Sequence, residues 1–161
     1  MKDIFIEKIV LNIGIGKDGD IKNAKEILKA VTGRDPVVTN SKKRSTFNVA
    51  KGKPIGCMMT IRKDCEKLLS RLFESKEKKI KKSSFDSGGN FSFGIPEYIN
   101  VPGVQYNPNI GILGFDVAVR LARPGYRITR KRLGSKISKT HVIEKEDAMD
   151  FVKKKFDVIL I

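Results

Sequence analysis

From Val117 to Ile143 the chain carries no acidic residue, while Arg120, Arg123, Arg127, Arg130, Lys131, Arg132, Lys136 and Lys139 crowd into it. Pro124, Gly125 and Gly134 interrupt any regular element there, and large apolar side chains are sparse beyond Ile128. Such a segment repels itself and has little to bury, so a core must be built from the rest of the chain. It orders fully only when an anion takes up its charge, and a nucleic-acid backbone is the anion that fits. The whole chain leans the same way: 33 Lys and Arg against 18 Asp and Glu leave a formal charge of +15.

With 161 residues, 40% of them hydrophobic, the chain is long enough for one domain with a true core and short for two. We expect a single domain over residues 1–161, with basic loops near 39–54, 76–84 and 123–140. Apolar runs such as 9–11 and 56–60 are strand-sized and far from membrane-spanning. Met1-Lys2-Asp3 leads straight into a strand pattern, with no apolar signal core, so cytoplasmic residence is the expectation.

Residues 5–16 alternate and then turn continuously apolar, as a strand entering a core does. Asn23 can cap a helix whose Ala24, Ile27, Leu28 and Val31 share a face, with Thr32-Gly33 ending it. A short strand over 36–39 follows. Residues 46–49 and 55–61 then read as a hairpin around the turn Lys51-Gly52-Lys53-Pro54. Asp64 is placed to cap a helix with the stripe Cys65, Leu68, Leu69, Leu72 and Phe73. A charged connector over 74–84 precedes strands at 91–95 and 115–121, separated by a turn-rich excursion. The last helix takes Glu144, Glu146 and Asp147 at its start and Lys153, Lys154 and Lys155 near its end, as the helix dipole prefers. It should bury Ala148, Phe151, Val152 and Phe156. The fold class is α+β: an antiparallel-rich sheet with helices on one face and basic loop extensions.

Three basic regions carry the candidate contacts. In the first, Thr39, Asn40, Lys42, Lys43, Arg44 and Thr46 interleave hydroxyls and an amide with cations, and Lys51 and Lys53 continue it; that mixture suits phosphate and 2′-hydroxyl groups. The second holds Lys76, Lys78, Lys79, Lys81 and Lys82. The third holds Arg123, Arg127, Arg130, Lys131, Arg132, Lys136 and Lys139, with Tyr126 as an exposed aromatic held by Pro124-Gly125. Phe47, Phe91 and Phe93 could stack on bases but sit in strand patterns and are as readily core. No helix-turn-helix, finger or zipper is evident, and loop-borne cations favour structured RNA over the DNA major groove.

Enzymatic readings find less support. Residues 14–19 match GxGxxG, yet no second parallel strand with an acidic ribose anchor follows; Asp35 precedes the next strand. One histidine, His141, and two cysteines, Cys57 and Cys65, fall short of a structural zinc set. Both cysteines fit as small core residues, and His141 as a packing or hydrogen-bonding group. Asp86, Glu97, Asp116 and Glu144 are not brought together by any motif.

The order IEKIVLNIGIG, PIGCMMTIR, SSFDSGGNFSFGIPEYI, YNPNIGILGFDVAV, RPGYRITRKR and HVIEKEDAMDFVKKKFDVIL spans nearly the whole chain. In that order the chain resembles the universal large-subunit ribosomal protein L-five family, in its archaeal and eukaryotic form; the compact tail points to an archaeal source. The resemblance implies no enzyme and no cofactor. It implies binding of 5S rRNA and large-subunit rRNA in the central protuberance, beside the neighbouring 5S-binding protein. It further implies an approach to the P-site tRNA elbow and a bridge to a protein of the small-subunit head. On this reading the region from Thr39 to Thr46, with Lys51 and Lys53, faces 5S rRNA. The second and third basic regions lie nearest tRNA and large rRNA. A nucleotide-dependent enzyme and an assembly factor outside the mature ribosome are the competing readings.

Overall fold

The computed structural model describes residues 1–16, 19–44, 48–108 and 110–161. Its elements are β1 (Phe5–Gly14), α1 (Ile21–Thr32), β2 (Val37–Asn40), β3 (Pro54–Ile61), α2 (Cys65–Glu74), β4 (Lys79–Ile80), β5 (Phe91–Ile95), β6 (Phe115–Ala122), α3 (Lys145–Phe156) and β7 (Ile159–Leu160). Five strands form one mostly antiparallel sheet in the order β2-β3-β1-β6-β5, and β4 pairs with β7 in a short parallel ladder. With three helices, this is the α+β class expected. The chain divides into two compact units: residues 1–9, 62–93 and 118–161 form the first, and 10–61 with 94–117 the second.

In the second unit α1 buries the stripe Ala24, Ile27, Leu28 and Val31 that its periodicity requires. Its start corrects the sequence expectation. Asp20, not Asn23, is the cap, its carboxylate accepting from the Lys22 amide at 2.9 Å. Asn23 instead lies inside the helix and donates its side-chain amide to the Ile110 carbonyl. Gly33 ends the helix with φ +71°, a backbone state that costs other L-residues roughly 1–2 kcal/mol.

The hairpin is also rearranged. β3 pairs with β2, in the register Val37↔Met58, Val38↔Cys57 and Thr39↔Gly56, so the connection runs over residues 41–53. The expected partner strand over 46–49 is not formed at Asn48 and Val49, and Thr46 and Phe47 lie outside the described residues. Asn48, at φ +59°, leaves the extended region altogether. Gly52, at φ +84°, does make the turn that the sequence signalled, but it closes back on Ser41. Gly56 is required by close approach: a Cβ there would run into the Ile13 carbonyl oxygen.

The first unit is organised by rings. Phe73 of α2 lies 5.5 Å from Phe93, 6.2 Å from Phe91 and, edge-on, 5.2 Å from Phe156 of α3; Phe85 adds a contact at 5.0 Å to Phe91. Phe91 and Phe93 are therefore core and not stacking platforms. The Asp86 carboxylate accepts from the backbone of Gly88 and Asn90 and from the Asn90 side chain, tying the turn between Phe85 and Phe91. Asp64 precedes α2 as expected but sits at φ +56° and makes no side-chain cap. α3 buries Ala148, Val152 and Phe156, whereas Phe151 stays half-exposed with the Lys155 ammonium 5.4 Å from its ring centre.

Cys57 and Cys65 are both buried, as core residues should be, and burial raises both thiol pKa values. The thiolate is the reactive form, so the native protein should react with a disulfide reagent on the order of 100-fold more slowly than urea-unfolded protein. Timed labelling read by mass spectrometry checks this, and fast native labelling at either cysteine would contradict it.

Candidate nucleic-acid interface

In the second unit, Val38 and Cys57 pair on the α1 side of the hairpin, where the Cys57 thiol reaches the Ile21 carbonyl. Strand alternation then turns Val37, Thr39, Gly56 and Met58 to the opposite face. The Thr39 hydroxyl packs close beside Gly56 on that face. Asn40 follows at a register shift and is exposed. The loop beyond is closed by Ser41 N–H to the Lys53 carbonyl and Gly52 N–H to the Ser41 carbonyl, each 2.8 Å. This closure leaves Lys42, Lys43, Arg44 and Lys51 exposed and Lys53 half-buried at the neck. Thr46 lies outside the described residues.

In the first unit the connector is not the loose chain its charges suggest. β4 pairs with β7, Lys79↔Ile159 and Ile80↔Leu160, extended by Lys82 N–H to the Ile161 carbonyl at 2.8 Å. Ile80 is the buried rivet, and Lys78, Lys79, Lys81 and Lys82 flank it in the open, with Lys76 half-buried. Glu77 and Lys78 both hold positive φ, a tight reversal supported by amide bonds to the Glu74 and Phe73 carbonyls. Lys79 donates to the Glu77 carboxylate at 2.6 Å, which keeps that carboxyl below its usual pKa.

The acid-free segment is an arm clamped at its base. The Arg123 guanidinium is buried, donating to the Asp147 carboxylate at 2.8 Å and to the Val142 carbonyl at 3.1 Å. Tyr126 is half-buried: its hydroxyl donates to the His141 carbonyl at 3.1 Å and accepts from the Ile143 amide at 2.8 Å. The His141 ring bonds the Pro124 carbonyl, one of the packing or hydrogen-bonding roles open to it. These contacts turn the Arg123 guanidinium and the Tyr126 hydroxyl inward, where they hold the base of the arm. Gly125, at φ +102°, permits the turn into the arm. Beyond it Arg127, Arg130, Lys131, Arg132, Lys136 and Lys139 are exposed, and Arg130 also reaches Glu7 in a close ion pair. Glu7 and Asp147 were not foreseen as partners, because nothing in linear order joins an acid on β1 or α3 to an arginine more than a helix-length away.

At the glycine motif the Asp20 carboxylate accepts from the Lys22 amide at the start of α1, where a phosphate would otherwise sit, and Lys17 and Asp18 lie outside the described residues. Among the described residues no three metal-ligating side chains converge, and no helix is long and apolar enough to cross a membrane.

Residues 1–47 match the family model described as ribosomal protein L5, and residues 54–151 match the model for the C-terminus of the same ribosomal family. The chain is 46% identical to the large ribosomal subunit protein uL5 of Nitrosopumilus maritimus, across 98% of this chain and 94% of that one. It is 43% identical to the protein of the same description from Cenarchaeum symbiosum, covering 100% and 98%, and 41% identical to that of Methanoregula boonei, covering 98% of each.

Proposed function

The chain belongs to the ribosomal protein L5 family, a large-subunit ribosomal protein family and not an enzyme family, and from this we propose that it acts as a non-catalytic RNA clamp on 5S rRNA and large-subunit rRNA in the central protuberance. It works as one RNA-binding module over residues 1–161, beside the neighbouring 5S-binding protein, near the P-site tRNA and a small-subunit head protein, in the cytoplasm. The hairpin neck and loop, with Thr39, Asn40, Lys42, Lys43, Arg44, Lys51 and Lys53, take 5S rRNA. The connector lysines and the arm take large rRNA and approach tRNA.

One observation supports this reading above the rest: the cations stand on loops that the core anchors but does not neutralise. Of the cations in the three basic regions, Lys79, Arg123 and Arg130 are the ones that enter the ion pairs of the described residues. The remaining charge needs an external anion, and release of counterions from RNA supplies a large share of affinity. Filter binding of a 5S rRNA transcript across a salt series should show log K falling steeply and linearly with log salt. Mass spectrometry of salt-washed large subunits should find the chain near stoichiometric. Salt-insensitive binding would refute the clamp, and absence from washed subunits would favour an assembly factor.

A further inference from the structure

Glu7 stands out because a carboxylate in the middle of a strand faces two arginines. Its side chain is 16% exposed. Arg120 of β6 places Nε 3.1 Å from one oxygen, off the hydrogen-bonding direction, so that attraction is Coulombic. Arg130, in the turn formed by Tyr126–Arg130, forms a close ion pair with the other oxygen. Neither guanidinium is sealed by this: the Arg120 and Arg130 side chains remain 42% and 47% exposed. Two cations on one anion leave a local charge of one positive unit, and their mutual repulsion is screened by the carboxylate between them. Each fork has five N–H donors, of which Glu7 engages few.

We infer that Glu7 is a positioning residue that sets Arg120 and Arg130 as a two-guanidinium clip for one phosphodiester group of bound RNA. Arg120 thereby joins the interface, although it lies on a core strand and outside the basic loops. The inference deepens the RNA-clamp reading and rests on it. A carboxylate that merely neutralised the arm would bury both arginines, and here each side chain stays more than two-fifths exposed. Holding Arg130 on β1 also removes part of the ordering cost that the arm would otherwise incur on binding.

The discriminating feature is sign. Replacing Glu7 by Gln adds a positive charge, which on bulk electrostatics alone strengthens binding to RNA. The clip requires the opposite: Glu7→Gln binds a labelled 5S rRNA or large-subunit rRNA fragment about fivefold more weakly at fixed salt. Arg130→Lys keeps the charge but loses the planar fork, and should weaken binding by a similar factor. The double variant should be no weaker than the weaker single variant, because both changes dismantle one device. Trypsin should cut the RNA-free Glu7→Gln arm between Arg127 and Lys136 several-fold faster. Tighter or equal binding by Glu7→Gln, multiplicative effects, or an unchanged cleavage rate would overturn the clip. Should Glu7→Gln not fold, Arg130→Lys decides alone, and wild-type affinity there overturns the inference. Failure of wild-type protein to bind either RNA instead brings down the clamp reading itself.

Discussion

The triple variant Lys42→Ala, Lys43→Ala, Arg44→Ala should bind 5S rRNA on the order of 10- to 100-fold more weakly at physiological salt. All three side chains are exposed on a loop pinned by Ser41, Gly52 and Lys53, so their removal takes no buried contact with it. Each phosphate neutralised contributes about 0.7–0.9 to the slope of log K against log salt, from single strands to B-form duplexes, so the slope should become shallower by roughly 2–3. The folded state should be unchanged or slightly steadied, since removing like charges from a chain of +15 relieves self-repulsion. Filter binding across a salt series, alongside a urea melt, reads both quantities. A lower affinity with an unchanged slope would mean that these residues act through shape and not through phosphate contact.

Phe73→Ala should cost about 3–5 kcal/mol of stability. The ring is 1% exposed and touches rings from β5 and α3, so truncation removes transfer energy and leaves a cavity that three fixed partners cannot collapse into. Against a typical total of roughly 5–15 kcal/mol, that is enough to bring the protein close to unfolding at ordinary temperature. Urea denaturation gives the measurement, with the midpoint falling and the slope retained. Phe73→Leu, which keeps most of the volume, should lose about half as much. A loss below about 1 kcal/mol for the alanine variant would show that the ring cluster is not a rigid unit.

The two predictions separate parts of the chain that were legible to different degrees. Apolar periodicity identified the α1 and α2 stripes, β5 and β6 because those elements are held by faces that local spacing defines. Hairpin pairing was misread because a turn signal at Gly52 names where the chain reverses and not which strand it returns to; that choice lies in the register of Val38 against Cys57. The cap of α1 moved from Asn23 to Asp20 for a similar reason: both can cap, and the Ile110 carbonyl decided which one was needed elsewhere.

Charge followed the same division. The linear order of residues alone determined that this chain is a folded α+β protein carrying far more cation than it can neutralise, since composition and periodicity are properties of the string. Which cations face outward was decided only by the tertiary structure. Arg123 turns in to Asp147, Tyr126 ties the arm through Ile143, Glu7 gathers Arg120 and Arg130, and β7 rivets the connector through Ile80. Those partners stand far apart in sequence, and a charge carries no label for its partner: an ion pair depends on distance and desolvation, which exist only once the chain has folded.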